Sequence, residues 1–497
     1  MALARLLSRG QRGMEAYEVT VEVHLGSGLP GFTVTGLPAA AVRESRDRVR
    51  AALQNIGMPI PPSRVTAHLG PADIPKQGGR FDLAIALGIV KADTGKPWKL
   101  DAMEFLGELS LSGDLRSVQG ALPAVLAARD AQHTVVLPAV NASEAALVEG
   151  AHILVANRLT EVIEHLEGIA PLERIATAAP APAVGEAPDL ADVRGQLGAK
   201  RALTIAAAGG HNMLMIGPPG AGKSMLAQRL PGLLPPLGVE EILEVACIAS
   251  VAGRPSAEIT SMQRPFRAPH HSASSIALVG GGGKPRPGEI SLAHRGVLFL
   301  DEFPEFQRGA LEALREPLES GTVTIARAAE CATYPASFQL VAAMNPCPCG
   351  YLGDGSDRCT CSEIRVQCYR SRLSGPLLDR FDIHVALERV SIAGIADAEP
   401  DSTSAQVAAH VDAARKRQLG LHGCLNARLD DRRIWRDVRL GREQRRLLVK
   451  ASDRWRLSAR SCTRIVKVAR TIADLDAAAD VAVEHVAEAI QLRCLDR

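Results

Sequence analysis

Eight residues, Gly217-Pro218-Pro219-Gly220-Ala221-Gly222-Lys223-Ser224, constrain this chain more than any others. They match G-x-x-x-x-G-K-[ST] and come after the apolar run Met213–Ile216, so the spacing predicts a strand, a glycine-rich loop and then a helix. Gly220 and Gly222 let backbone N–H groups converge on phosphate without a Cβ in the way. The helix start adds its partial positive charge. In that frame all eight residues bind nucleotide: Lys223 reaches the β- and γ-phosphates and the Ser224 hydroxyl holds Mg²⁺. A second apolar run, Val297–Leu300, ends in Asp301 and Glu302. Asp301 is expected to hold the Mg²⁺ and its water shell, and Glu302 to orient and deprotonate an attacking water. The chain is expected to bind and hydrolyse a nucleoside triphosphate, ATP with Mg²⁺.

At 497 residues the chain has room for two or three domains. Aromatic residues are only 3% of it, so its cores must be built from Ala, Leu, Val and Ile. No uninterrupted apolar window is long enough for a membrane span, and Met1–Gly10 has two arginines in a short apolar run, unlike a signal peptide. Ten cysteines in a chain of this length do not suggest a secreted disulfide framework, which makes the cytoplasm the expected compartment. Net charge is +2, yet residues 411–497 carry 20 Lys and Arg against 12 Asp and Glu. A basic terminus on an acidic body suggests an anionic partner, though a solvated helical face has the same composition.

Residues 1–168 read as an α/β domain: strands at Tyr17–Leu25, Phe32–Thr35 and Arg64–Leu69, helices at Pro38–Ile56 and Phe81–Val90. The segment Asp73-Ile74-Pro75-Lys76-Gln77-Gly78-Gly79-Arg80-Phe81-Asp82 resembles the active-site segment of the Lon protease proteolytic domain. That resemblance implies a ribosomal S5 domain 2-like fold. It also implies a nucleophilic serine where this chain has Arg80, so a Ser–Lys dyad cannot form and the domain is expected to be proteolytically inactive. Residues 169–188, rich in Ala and Pro, read as a linker.

Residues 189–390 read as the ATPase core, with Asp192–Gln196 resembling the segment of AAA+ ATPases that lines an adenine pocket. An insertion over 231–290 separates the phosphate loop from the acidic strand. Within it, His270 and His271 could be metal ligands, but a loop displaying Arg264, Arg267, Lys284 and Arg286 fits a polyanion or a neighbouring subunit better. A hairpin over 321–340, with Arg327 near its tip, leads to the strand Leu340–Met344. Asn345 ends that strand and either senses the γ-phosphate or merely caps it. Cys347, Cys349, Cys359 and Cys361 can surround one structural Zn²⁺ with four thiolates, Cys368 being a substitute; the alternative is a reduced thiol cluster. Arg380 is the candidate arginine finger for a neighbouring subunit's nucleotide, with Arg372 behind it and an ion pair to Asp382 as the competing explanation.

Residues 391–497 read as a basic, helical lid. Arg460 opens the helix expected to lean over the nucleotide and is the candidate second sensor, Arg464 its runner-up. The stretch of arginines at 432, 433, 436, 439, 442, 445 and 446 suits phosphate contact or a solvated surface equally.

The chain is similar to the YifB/ComM family of magnesium-chelatase-like AAA+ ATPases. The similarity runs through Arg264–His271, Pro287–Leu292, Asp301–Glu302, Met344–Gly350 and Ser374–Asp382. It implies a parallel-sheet AAA+ core, a hexameric homo-oligomer and a DNA helicase that drives branch migration in natural transformation. Its partner would be single-stranded or branched DNA held largely independently of sequence. The rivals are a magnesium chelatase motor and a protease-related ATPase. The Lon-like domain and cysteine pairs argue against the first, and Arg80 against the second.

Overall fold

The computed structural model describes residues 2–177, 188–282, 285–327, 330–355, 357–389, 402–493 and 495. The chain folds as two compact units. The first takes residues 1–183, 238–262 and 324–334; the second takes 184–237, 263–323 and 335–497.

The first unit is built on an eight-stranded sheet. Ala2–Arg12 and Glu15–Gly26 form its antiparallel centre, turning at Gly13, which sits at φ +58°. The strand Arg64–Gly70 continues it antiparallel and Gly31–Thr35 lies parallel beyond. On the other side Met103–Phe105, Thr134–Pro138 and His152–Ala156 run parallel. Val19, Val21 and Val23 are fully buried, the period-two pattern expected of a sheet with one core face. The opening residues, which carry no strand signal strong enough to separate them from a short apolar run, extend the sheet because Glu15–Gly26 pairs along their whole length.

The helix Asp82–Thr94 packs on that centre so closely that a Cβ at Gly88 would lie 2.5 Å from Val23 Cγ2. Just before it, Arg80 is buried and donates to Gln11 Oε1 at 2.6 Å and to the Gln119 carbonyl, and burial pushes its guanidinium down to about 10. Lys76 is fully buried, and burial lowers its ammonium below the ordinary lysine range. The helix Val239–Ala252, expected inside the ATPase insertion, belongs to this unit, as does Thr324–Tyr334 of the hairpin. The hairpin strands are Thr322–Arg327 and Glu330–Pro335; its tip and Lys284 lie outside the described residues.

The second unit carries a five-stranded parallel sheet in the order Phe266–Arg267, Val297–Leu300, Gln339–Met344, Met213–Ile216, Ile383–Ala386. Three of these strands, Met213–Ile216, Val297–Leu300 and Gln339–Met344, are buried at every residue. That is why they read as unbroken apolar runs rather than alternations. The core is poor in aromatics: the helix Leu197–Gly209 buries Ala199, Ala202, Ala206, Ala207 and Ala208 against it. The terminal helices Ser404–His422, Arg442–Trp455, Ala459–Leu475 and Val483–Gln491 share one apolar core with the sheet, so the region expected as a separate lid is part of the same unit. The expected boundary at 391 lies outside the described residues. No helix among the described residues is long and apolar enough to cross a membrane.

The close helix–sheet approach in the first unit predicts that Gly88→Ala destabilises the protein. The added methyl gains helix propensity, but it meets a buried β-branched side chain that cannot swing aside. A loss of about 1–3 kcal/mol is expected in urea unfolding monitored by circular dichroism.

Candidate nucleotide site and thiolate cluster

Met213–Ile216 is hydrogen-bonded in parallel on both sides, to Val341–Met344 and to Ile383–Ala386. The chain leaves this strand at Gly217, where a Cβ would meet the Leu387 carbonyl oxygen at 2.7 Å; only glycine allows the turn. Pro218, Pro219, Gly220, Ala221 and Gly222 carry it to a helix that begins at Lys223. Gly220 and Gly222 are left-handed, at φ +78° and +87°, and a Cβ on either would have no heavy atom within 4 Å. An open concavity lined by backbone at a helix N-terminus is what a phosphate group requires. Gln196, expected in an adenine-pocket segment, ties that segment to the loop by donating to the Ala221 carbonyl at 3.1 Å.

Lys223 Nζ is drawn in among oxygens: the Gly217 carbonyl at 2.6 Å, the Pro218 carbonyl at 3.0 Å and Asn345 Oδ1 at 3.0 Å. Burial lowers its ammonium below the usual lysine range, with the Asp301 and Glu302 carboxylates opposing that shift. Ser224 Oγ donates to Asp301 Oδ2 at 2.6 Å, and Asp301 Oδ1 accepts the Glu302 N–H at 2.9 Å. Lys223, Ser224, Asp301 and Asn345 thus converge from three separate strands. These residues fit ATP with Mg²⁺: open backbone N–H groups, one ammonium, and a hydroxyl beside a carboxylate.

Glu302 stands at φ +51°, a left-handed position uncommon for a side chain of this kind. Its Oε2 lies 2.8 Å from His271 Nδ1. In the sequence His271 reads only as a weak metal ligand, with nothing to connect it with Glu302. The parallel register explains the contact: Phe266 pairs with Val297 and Arg267 with Leu298, and continuing it brings 271 level with 302. Only the pairing of those strands could have revealed it. His270 turns to Ser272 Oγ at 2.8 Å and stacks on His271. Two arginines expected to face a polyanion point inward instead. Arg264 donates to the Pro235 and Arg295 carbonyls, and Arg267 forms a bidentate pair with Glu289 at 2.6 and 3.0 Å. Arg286 is exposed.

The opposite end of the sheet holds the other predicted cations. Ile383 pairs with Met213, so Arg380, three residues earlier, lies where the strands begin, whereas the phosphate loop lies where they end. Arg380 is 8% exposed, donates to the Pro376 carbonyl at 3.1 Å and pairs with Glu319. Asp382, its suspected partner, is taken by Arg464 and by His211 Nδ1 at 3.2 Å. Burial alone would raise the Asp382 carboxyl; Arg464 and His211 outweigh it and hold the group well below the usual carboxylate range. Arg464 is therefore committed to a buried carboxylate. Arg460 is exposed and has no partner among the described residues. A cavity of about 210 Å³ is lined by Glu319, Arg380, Asp431, Arg460, Arg464 and Lys467. Arg460, expected to lean over its own chain's nucleotide, thus shares the Arg380 end of the sheet. Arg372 pairs with Glu305 at 2.6 Å on the surface.

Beyond Asn345 the four sulfurs of Cys347, Cys349, Cys359 and Cys361 lie within 4.8 Å of one another. Cys347 Sγ is 3.3 Å from Cys349 and 3.8 Å from Cys359. The Tyr351 backbone N–H, helped by the neighbouring sulfhydryls, draws the Cys349 thiol down. On Cys359 and Cys361 a backbone N–H is outweighed by burial and the neighbouring sulfurs, which push both up, so the cluster without an ion favours a single thiolate at Cys349. Four convergent sulfurs fit a tetrahedral soft cation such as Zn²⁺. Cys368 sits exposed on the helix Glu363–Arg370 and is not among them.

In the basic stretch, Arg433 and Arg436 face Asp437, while Arg442, Arg445 and Arg446 are exposed on one helix.

Comparison with known proteins places this geometry in context. Residues 189–395 match the family model "Magnesium chelatase, subunit ChlI", residues 21–141 match "Subunit ChlI of Mg-chelatase", and residues 401–493 match the C-terminal model of the same subunit. The chain is 46% identical to the competence protein ComM of Haemophilus influenzae, over 100% of this chain and 98% of that one. It is equally similar to the uncharacterized protein YifB of Escherichia coli, 46% over 98% of that protein. A DNA replication licensing factor, mcm-6 of Caenorhabditis briggsae, is 26% identical over 41% of this chain and 26% of its own length.

The buried Asp382–Arg464 pair yields a stability prediction. Asp382→Asn should cost about 3–5 kcal/mol, because Arg464 keeps its charge without a partner. Because the folded-state pKa of Asp382 is depressed, the wild type keeps this contribution above about pH 4, the unfolded value. It loses it progressively as pH falls below that, so unfolding of wild type and variant should converge in acid.

Proposed function

The chain belongs to the ComM/YifB family of magnesium-chelatase-like AAA+ proteins, and on that premise we propose that it is a ring-forming ATPase that couples ATP hydrolysis to movement along DNA. The reading is of a helicase or branch-migration motor serving recombination or natural transformation, a cytoplasmic homo-oligomer, taken as a hexamer. The observation that carries it is the division of the second unit's polar groups between opposite ends of one sheet. Lys223, Ser224, Asp301, Glu302 and Asn345 gather at the end where the strands finish. Arg380 and Arg460 gather at the end where they start, out of reach of the same loop. A single chain therefore holds two halves of a site, and a ring of copies would join the halves.

In this reading Ser224 and Asp301 hold Mg²⁺, which supplies the charge that neutralises the phosphate oxygens. Lys223 binds the phosphate chain, and Asn345, already bonded to Lys223, reports on the terminal phosphate. Glu302 takes the proton of the attacking water, with His271 orienting its carboxylate. Arg380 of one copy faces the nucleotide of the next, and releasing Glu319 frees it to do so. The first unit is read as a Lon-like domain without protease chemistry, Arg80 filling the nucleophile's place with a buried guanidinium. The relatives named competence protein and DNA replication licensing factor support a DNA substrate. Arg442, Arg445 and Arg446 offer exposed positive charge for its backbone. The family description also supports a chelatase motor, and the deciding measurement is ATP turnover with and without single-stranded and forked DNA. Stimulation by DNA is expected; turnover indifferent to DNA would sink the motor reading while leaving the ATPase.

Two variants test the site itself. Glu302→Gln should bind ATP normally and lose turnover by at least about 10²-fold, as removal of a general base does; equal turnover in steady-state assays would remove Glu302 from its role. Arg380→Ala should lose roughly 10³–10⁵ in rate while still binding ATP. Mixing it with Lys223→Ala should partly restore turnover, because an intact Lys223 from one copy then meets an intact Arg380 from the other. A mixture that co-assembles yet stays inactive would make Arg380 a residue of its own chain's fold.

A further inference from the structure

The four sulfurs are not an isolated staple. Cys347 comes two residues after Asn345, and Asn345 Oδ1 holds Lys223 Nζ at 3.0 Å. Cys347 is fully buried and the strand leading to it is buried at every residue, so the first sulfur and Asn345 are positioned by the same strand end. Directly after Cys349, Gly350 turns at φ +87° with its backbone against the phosphate loop. A Cβ there would lie 2.7 Å from the Pro219 ring and 3.8 Å from Asn345 Cγ. After Cys361 the chain forms the helix Glu363–Arg370, whose buried Tyr369 hydrogen-bonds the Asn345 backbone. The segment that supplies the cluster thus meets the nucleotide loop at Pro219, and the helix that follows it holds the backbone of the residue that bonds Lys223.

We propose that the cysteine cluster binds one zinc-class ion and that this ion and the nucleotide bind with positive coupling. Four thiolates drawn onto one ion fix the spacing of Cys347 and Cys349 against Cys359 and Cys361. That fixes Gly350 against Pro219 and Asn345 against Lys223, the arrangement that receives the phosphates. Within the segment Arg358 pairs with Asp354 at 2.8 Å and lies 4.3 Å over the Tyr351 ring, so the ion completes a partial brace; without it the sulfurs lose their common anchor, and fixing them then opposes nucleotide binding. Coupling of this kind is reciprocal: whatever factor the ion adds to nucleotide affinity, the nucleotide adds to ion affinity. The inference rests on the reading of Gly217–Ser224 as the ATP site and adds to it a dependence on metal supply.

The test uses the full chain loaded with Zn²⁺. Elemental analysis should find about one zinc per chain, four thiolates serving one ion. Zinc affinity, read by equilibrium competition with a zinc-selective chromogenic chelator, should rise by about 5-fold or more when a non-hydrolysable ATP analogue and Mg²⁺ are present, the lower range of ordinary coupling. Affinity for a fluorescent ATP analogue should fall by a similar factor in stripped protein and return when Zn²⁺ is added back. Lys223→Ala should hold zinc with an affinity indifferent to the analogue, which excludes chelation by the nucleotide itself. Cys361→Ser should take up no zinc and show the lower analogue affinity of stripped protein; because it risks misfolding, Gly350→Ala gives a second variant. It keeps all four sulfurs and the zinc, crowds Pro219, and should lose most of the coupling. Protein that binds the analogue yet holds zinc with one affinity with or without it overturns the linkage and leaves the ATP site standing. Protein that takes up no zinc after reduction overturns the inference at its first step. Failure to bind the analogue even when zinc-loaded would instead overturn the reading of the loop as an ATP site.

Discussion

Met213–Ile216 hydrogen-bonds in parallel to a strand on each side, and the remaining chemistry of the second unit depends on that double pairing. Parallel neighbours finish at the same end of the sheet, so every residue just past the end of such a strand is delivered to one rim. The phosphate loop, the acidic pair and Asn345 come from distant parts of the sequence and meet there for this reason. The outer strand Phe266–Arg267 obeys the same rule, and so His271 arrives beside Glu302.

The same parallel order sends residues that precede a strand to the opposite rim. Arg380 and Asp382 lie before Ile383 and are delivered there, together with His211, which precedes Met213. At that rim the buried Asp382 gathers Arg464, His211 and the Asn212 N–H, tying the last helices to the sheet. That network leaves Arg380 with Glu319 and Arg460 without a partner among the described residues. Asp382 therefore claims Arg464 alone among these arginines, while Arg380 stays buried against Glu319 and Arg460 stays exposed.

The rim that holds the nucleotide loop is also where the cysteine segment is anchored. Gly350 and Tyr369 both reach Asn345 or its neighbour Pro219, and both belong to the stretch that carries the sulfurs. The glycine-rich loop and the cysteine cluster are therefore built on the ends of two neighbouring strands. The path from the cluster to Lys223 is short, running along the backbone from Cys347 to Asn345 and then across the Asn345 side-chain amide.

The strand, glycine-rich loop and helix start were legible in the sequence because their requirements are local: glycines where the backbone turns left-handed, a lysine and a serine opening a helix. Fully buried parallel strands were legible as apolar runs, and the cysteine pairs by their spacing. The family itself was readable from motifs spread along the whole chain and is borne out by full-length similarity. What the sequence did not disclose are partnerships that depend on strand order and register. His271 beside Glu302, Asp382 claimed by Arg464 rather than Arg380, and Arg460 at the far rim all depend on which strands neighbour which. Likewise, helix Val239–Ala252 has ordinary amphipathic spacing, and nothing in that spacing says that it joins the first unit and not the second. Local patterns determine what each segment is, because backbone geometry and side-chain periodicity are properties of a few consecutive residues. Which side chains meet is decided by hydrogen bonding between strands far apart in sequence, and only the folded chain supplies that.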